Sequence, residues 1–120
     1  MTLYDKLKAL TAPCREADAE IAEALTGKAC IWSRPICGYR FADGGAEVPH
    51  YTASLDAAVE LVEREMPEAE VGLEGQWLGQ PGWIGWINRS QRDPKANGCG
   101  KHTLPAVALL LALVDAKGIE

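Results

Sequence analysis

The sequence predicts an α+β fold: one compact domain of order α-β-β-α-β-β-α, with a mostly antiparallel sheet of about four strands packed with three helices. Three observations carry this. Apolar residues recur at helical spacing near the start, the middle and the end of the chain. Between those stretches lie two pairs of short strand-like runs, each joined by a turn, which argues antiparallel pairing. The chain has 120 residues, 48% of them hydrophobic, which suits a single domain with one core.

The first helix is expected from Thr2 to Leu25, with Pro13 interrupting its pattern. Leu3, Leu7 and Leu10 share one face of the first piece. In "READAEIAEALTG", Ala17, Ile21, Ala24 and Leu25 form the apolar stripe, and Gly27 supplies a C-terminal stop. Glu16, Asp18, Glu20 and Glu23 are expected on a solvated face. "ACIWS" (Ala29 to Ser33) and "ICGYRFA" (Ile36 to Ala42) read as two strands around a tight turn at Arg34 and Pro35. "DGGAEVP" is then a loop.

The second helix opens in "HYTASLDAAVELV". Thr52 or Ser54 can cap it, because a hydroxyl can accept a free N–H of the first turn. Asp56 suits the positive end of the helix dipole, and Pro67 ends the helix. "EVGLEGQW" alternates, with Val71, Leu73 and Trp77 facing one way and Glu74 and Gln76 the other. "WIGWINRS" is apolar on both faces, Trp83 and Ile87 on one and Ile84 and Trp86 on the other, so it is expected to be central or covered. Gln91 to Lys101 reads as a loop, rich in turn residues. The third helix starts after Thr103, with Pro105 in its first turn, and is apolar nearly all round, which predicts burial.

The net charge of −5 argues against nucleic acid as a partner, since phosphate binders carry excess Lys and Arg. The longest apolar run, Leu104 to Val114, is far short of the roughly 20 residues of a bilayer span. The N-terminal stretch lacks an apolar signal core, so a soluble, cytoplasmic protein without a membrane partner is expected. Cys14, Cys30, Cys37 and Cys99 form no C-x-x-C pair. They are expected as reduced thiols, with no metal site and no cofactor. A Cys30–Cys37 bridge across the hairpin is geometrically allowed but disfavoured in that compartment.

Three groups of side chains are candidates for function. His50 could act as a base oriented by Tyr51, Thr52 and Asp56; Cys99, three residues before His102, could act as a nucleophile beside it. The competing and preferred reading is a loop histidine before each helix cap, with a loop cysteine. Trp77, Trp83 and Trp86 gather around one hairpin, with Trp32 on another. They supply either core bulk or a binding surface. From Asp56 to Glu74, seven acids including Glu60, Glu63 and Glu70 face Arg64 alone. That stretch is either a solvated surface or a field that steers a basic partner. Arg89, Arg92, Lys95 and Lys101 make a small basic loop against Asp93.

"READAEIAEALTG", "YTASLDAAVELV" and "GKHTLPAVALLLAL", in that order and spacing, resemble the phage ABA sandwich domain family. Leu104 between Thr103 and Pro105 departs by one residue from the family's Thr-Pro-Ala opening of its last helix. The resemblance implies a compact α/β sandwich, a phage or prophage source and the bacterial cytoplasm. It brings no established activity and so assigns no catalytic residue. The expectation is a non-enzymatic phage accessory protein binding a host or phage protein, or itself as a homodimer. One alternative is a host-defence inhibitor of the anti-CRISPR kind using the acidic 56–74 face. The other is a small hydrolase-like enzyme using His50 or His102 with Cys99.

Overall fold

Why the first helical stretch breaks in two is visible at its ends. The computed structural model describes residues 2–77, 80–88 and 98–118. Helix α1 (Leu3–Lys8) is capped by the Thr2 hydroxyl, which accepts the Asp5 N–H at 3.1 Å. It stops before Pro13, and α2 (Arg15–Thr26) starts anew. Gly27, at φ +71°, takes the left-handed conformation that ends α2, as its sequence position predicts. Four helices and five strands therefore lie among the described residues, where three and four were expected.

Strands β1 (Cys30–Ser33) and β2 (Gly38–Phe41) form their own two-stranded sheet. The turn between them is longer than the sequence suggests and takes in Ile36 and Cys37. The Cys37 N–H closes it onto the Arg34 carbonyl at 3.1 Å, with Cys37 at φ +49°. One four-stranded sheet does not form, and the far edge of β2 is occupied by its own following segment. The Phe41 N–H donates to Ala46, and the Val48 N–H donates to Tyr39.

Helix α3 (Leu55–Glu65) turns Ala58, Leu61 and Val62 inward. Ser54, not Thr52, is its cap, accepting the Ala57 N–H at 3.2 Å. Strands β3 (Glu70–Trp77), β4 (Gln80–Asn88) and β5 (Gly98–His102) then make an antiparallel sheet in that order, with β4 central as its two apolar faces imply. A bulge between Gly75 and Trp77 ends the simple alternation of β3.

Strand β5 lies where a loop was expected. Its glycines look like turn residues but serve packing. Helix α4 (Pro105–Lys117) lies so close to the sheet that a β-carbon at Gly85 would stand 2.7 Å from the Ala108 carbonyl oxygen. Gly98 and Gly100 face the same helix and leave room for its backbone. All of Ala106 to Val114 is buried, with the three-stranded sheet on one side of α4 and α1 and α3 against it from elsewhere. The helix begins with Leu104 at its cap position and no side-chain cap, so Thr103 does not repeat the job of Ser54. The His102 Nδ1 instead accepts the Leu104 N–H at 2.9 Å. No helix among the described residues is long and apolar enough to cross a membrane.

Candidate functional site

The opening of α3 is organised by a buried charge. Asp18, expected on a solvated face, is 0% exposed. Its Oδ2 accepts from Arg15 at 2.7 Å, and its Oδ1 accepts the Thr52 N–H at 2.7 Å. Arg15 also donates to the carbonyls of Val48 and Pro49. The Thr52 hydroxyl accepts the Cys14 N–H at 2.9 Å and donates to the Cys14 carbonyl. Apart from the Glu47 carboxylate, 3.6 Å from Arg15, every partner in this set is a backbone group or one of its own members, so it pins residues 48–52 onto the start of α2. Buried polar groups satisfied this way hold structure.

This placement separates His50 from its expected helpers. Tyr51 is buried in the core, Thr52 serves Asp18 and Cys14, and Asp56 is exposed in the first turn of α3. The His50 ring is exposed, with Nε2 3.5 Å from the Glu47 carboxylate. Cys99 and His102 are also kept apart. They are three residues apart in a strand, which sends their side chains to opposite faces. Cys99 pairs across β4 with Trp86, on the face away from α4, and its N–H donates to Asp115 at 3.1 Å. His102 pairs with Trp83 on the α4 face.

Two of the tryptophans lie over glycines. Trp86 stands opposite Gly72 and Trp83 opposite Gly75, and a β-carbon at Gly72 would overlap the Trp86 indole. Glycine in one strand gives each ring a floor in the next. Trp86 is half-buried and Trp83 is 37% exposed. The Trp77 side chain lies outside the described residues. Glu60 and Glu63 are exposed on α3, and Glu70 is exposed at the start of β3. Arg89, Arg92, Asp93 and Lys95 lie outside the described residues; Lys101 is exposed on β5.

The most exposed tryptophan among the described side chains lies in the other hairpin. Trp32 in β1 is 56% exposed, Ile31 beside it 40%, and Ile36 in the turn 44%. They are three of the six large hydrophobic side chains exposed among the described residues, and one hairpin holds all three. Tyr39 supports Trp32 from β2, edge to face, with ring centroids 5.3 Å apart. Between Lys28 and Ala42 the segment carries Lys28, Arg34 and Arg40 and no acid, within an acidic chain. Lys28 meets Asp43 at 3.5 Å, whereas Arg34 has no ion pair among the described residues.

No family model, curated protein or solved structure matches the chain. Ile31 and Trp32 of β1 thus share one hairpin with Arg34 and Ile36 of the turn, and Trp and Arg are residue types enriched at interaction hot spots. A signal for it was present in the sequence. Adjacent Ile31 and Trp32 point to opposite faces of a strand, but only the structure shows that their sheet has two strands packed on one helix, which cannot cover both faces.

The thiols differ around this hairpin. Burial pushes the Cys30 thiol up from its ordinary range, and the Glu23 and Asp43 carboxylates push the same way. Cys30 is half-buried with its N–H on the Glu23 carboxylate at 2.9 Å, while Cys37 is exposed. All four cysteines are free. An open groove of about 260 Å³ also runs between α1 and α2, past Leu10, Cys14 and Ala17, with the Lys6–Glu20 ion pair at its rim.

Proposed function

We propose that this chain is a protein-binding module that docks through the β1–β2 hairpin. The observation that supports it is the concentration of exposed apolar area at Ile31, Trp32 and Ile36 on one hairpin. Isolated exposed hydrophobics need no explanation, but a cluster beside an arginine without an ion pair among the described residues does. The acids of α3 and β3 set the field around the molecule, whereas the segment from Lys28 to Ala42 carries bases and no acid. They offer charge, and the hairpin offers the apolar anchor. The setting we infer, from the three segments that resemble the phage ABA sandwich family, is a phage or prophage product in the bacterial cytoplasm.

The test places a photo-crosslinking residue at Ile36 in the full chain inside cells, with Glu63 as the control position. A discrete protein adduct is expected from position 36, and Trp32→Ala should remove it by weakening binding about 2 kcal/mol or more. Equal labelling from both positions, or none from the hairpin, rejects the reading.

A further inference from the structure

We infer that the hairpin's partner is a second copy of this chain, joined through the outer edge of β1 about a two-fold axis at Trp32; this rests on the docking reading above. Sheet edges invite pairing unless they are blocked, and each of the other edges among the described residues carries a block. β2 is closed by residues 46–48. β5 is capped where Asp115 takes the Cys99 N–H. β3 carries Glu70 and Glu74 and ends in a bulge. β1, with the sequence Cys-Ile-Trp-Ser, has no charge, no proline and no bulge.

The pairing pattern shows which groups β1 presents. Tyr39 and Phe41 direct their backbone groups away from β1, to Val48 and Ala46. Their opposite residues, Trp32 and Cys30, therefore direct theirs outward as well. The Cys30 N–H is taken by Glu23, which stops any added strand at that point. The Trp32 N–H and carbonyl stand on the edge beyond it.

An added antiparallel strand centred on Trp32 sets Trp32 opposite its own copy. Position 34 of one chain then falls opposite position 30 of the other. Glu23 stands at position 30, and Arg34, which has no ion pair among the described residues, arrives there from the second copy. The surface is thus complementary to itself in register and charge: two Trp32 rings adjoin at the centre, and an Arg34–Glu23 pair closes each end. Four-residue edges bury little area, so the association is of the weak class that exchanges in solution.

Sedimentation of the full chain between about 10 μM and about 1 mM tests this. The native chain should pass from monomer to dimer in that range. Arg34→Glu places two acids at each end and Glu23→Arg places two bases, so each alone should dimerise at least about tenfold more weakly. An equimolar mixture of the two variants restores both pairs, and a mixed dimer of native strength should appear. That mixture reports only on folded protomers. Should Glu23→Arg fail to fold, Arg34→Glu and Trp32→Ser, both at exposed side chains, carry the test. A native chain that stays monomeric throughout overturns the assignment, as does a dimer indifferent to both charge changes. A monomeric chain that still loses a different protein when Trp32 is changed overturns the second copy but keeps the docking reading. Loss of neither on changing Trp32 overturns both.

Discussion

Asp18 shows how far one side chain can depart from its pattern. It sits among Glu16, Glu20 and Glu23, and helical spacing alone assigns all four to solvent. Its partner, the Thr52 N–H, is thirty-four residues away in the chain, beyond the reach of any local rule. Replacing Asp18 with Ala leaves Arg15 half-paired and the buried Thr52 N–H without an acceptor. The expected loss is about 3 kcal/mol, read as a lower urea midpoint at unchanged slope. Asp18→Asn keeps an acceptor for Thr52 and should fall between. Cys30 gives a second prediction at this scale. Burial foremost, then Glu23 and Asp43, raise its folded pKa. The stabilisation this implies is complete below the unfolded thiol's value, about 8.5, and is lost as pH rises through the folded value. Stability between about pH 8 and pH 10 should therefore fall more in the native chain than in Cys30→Ala. At neutral pH, alkylation followed by mass spectrometry should label exposed Cys37 and Cys99 ahead of Cys30.

Element starts separate what is local from what is tertiary. The two histidine–threonine strings look alike, yet only the first leads to a side-chain cap, and there the cap is Ser54. Ser54→Ala should cost about 1 kcal/mol, and Thr103→Ala, at an exposed residue outside any cap, should stay within about 0.5 kcal/mol in the same denaturation assay. The helices were legible because their apolar spacing is a property of the segment itself: α3 ends at Glu65 just before Pro67, and α4 is buried nearly throughout. The central position of β4 was legible too, from its two apolar faces. β5 was not, because Gly98 and Gly100 read as turn residues until α4 is laid against them. A methyl group at Gly100 would press on the Leu111 β-carbon and the Ala108 carbonyl, forcing helix and sheet apart. Gly100→Ala should destabilise by about 3 kcal/mol, against no more than about 0.5 for Gly44→Ala, whose β-carbon meets nothing within 4 Å. Of the candidate sites, the tryptophans and acids could be named from sequence, but their exposure could not. That depended on which glycines lay opposite the rings and on which faces α2 and α4 happened to cover.

At the scale of the molecule, stability and docking occupy different places. α4 is packed by the three-stranded sheet and by α1 and α3, so its amides open only when the whole domain does. The β1–β2 hairpin packs on α2 and leaves Ile31 and Trp32 in water. Its outward amide at Trp32 has no strand beside it among the described residues of a lone chain. Hydrogen exchange read at a series of protein concentrations should therefore divide the molecule. Peptides from α4 should exchange last at every concentration. The peptide spanning Cys30 to Ile36 should exchange quickly when dilute and slow as concentration rises, since pairing of two β1 edges withdraws the Trp32 N–H from water in proportion to the dimer formed. In Arg34→Glu the same peptide should stay fast throughout, while α4 keeps its protection. Protection that rose equally in both proteins would mean that something other than the β1 edge and its end charges holds the copies together. A purely structural role for Arg34 would instead slow or quicken exchange at all concentrations alike.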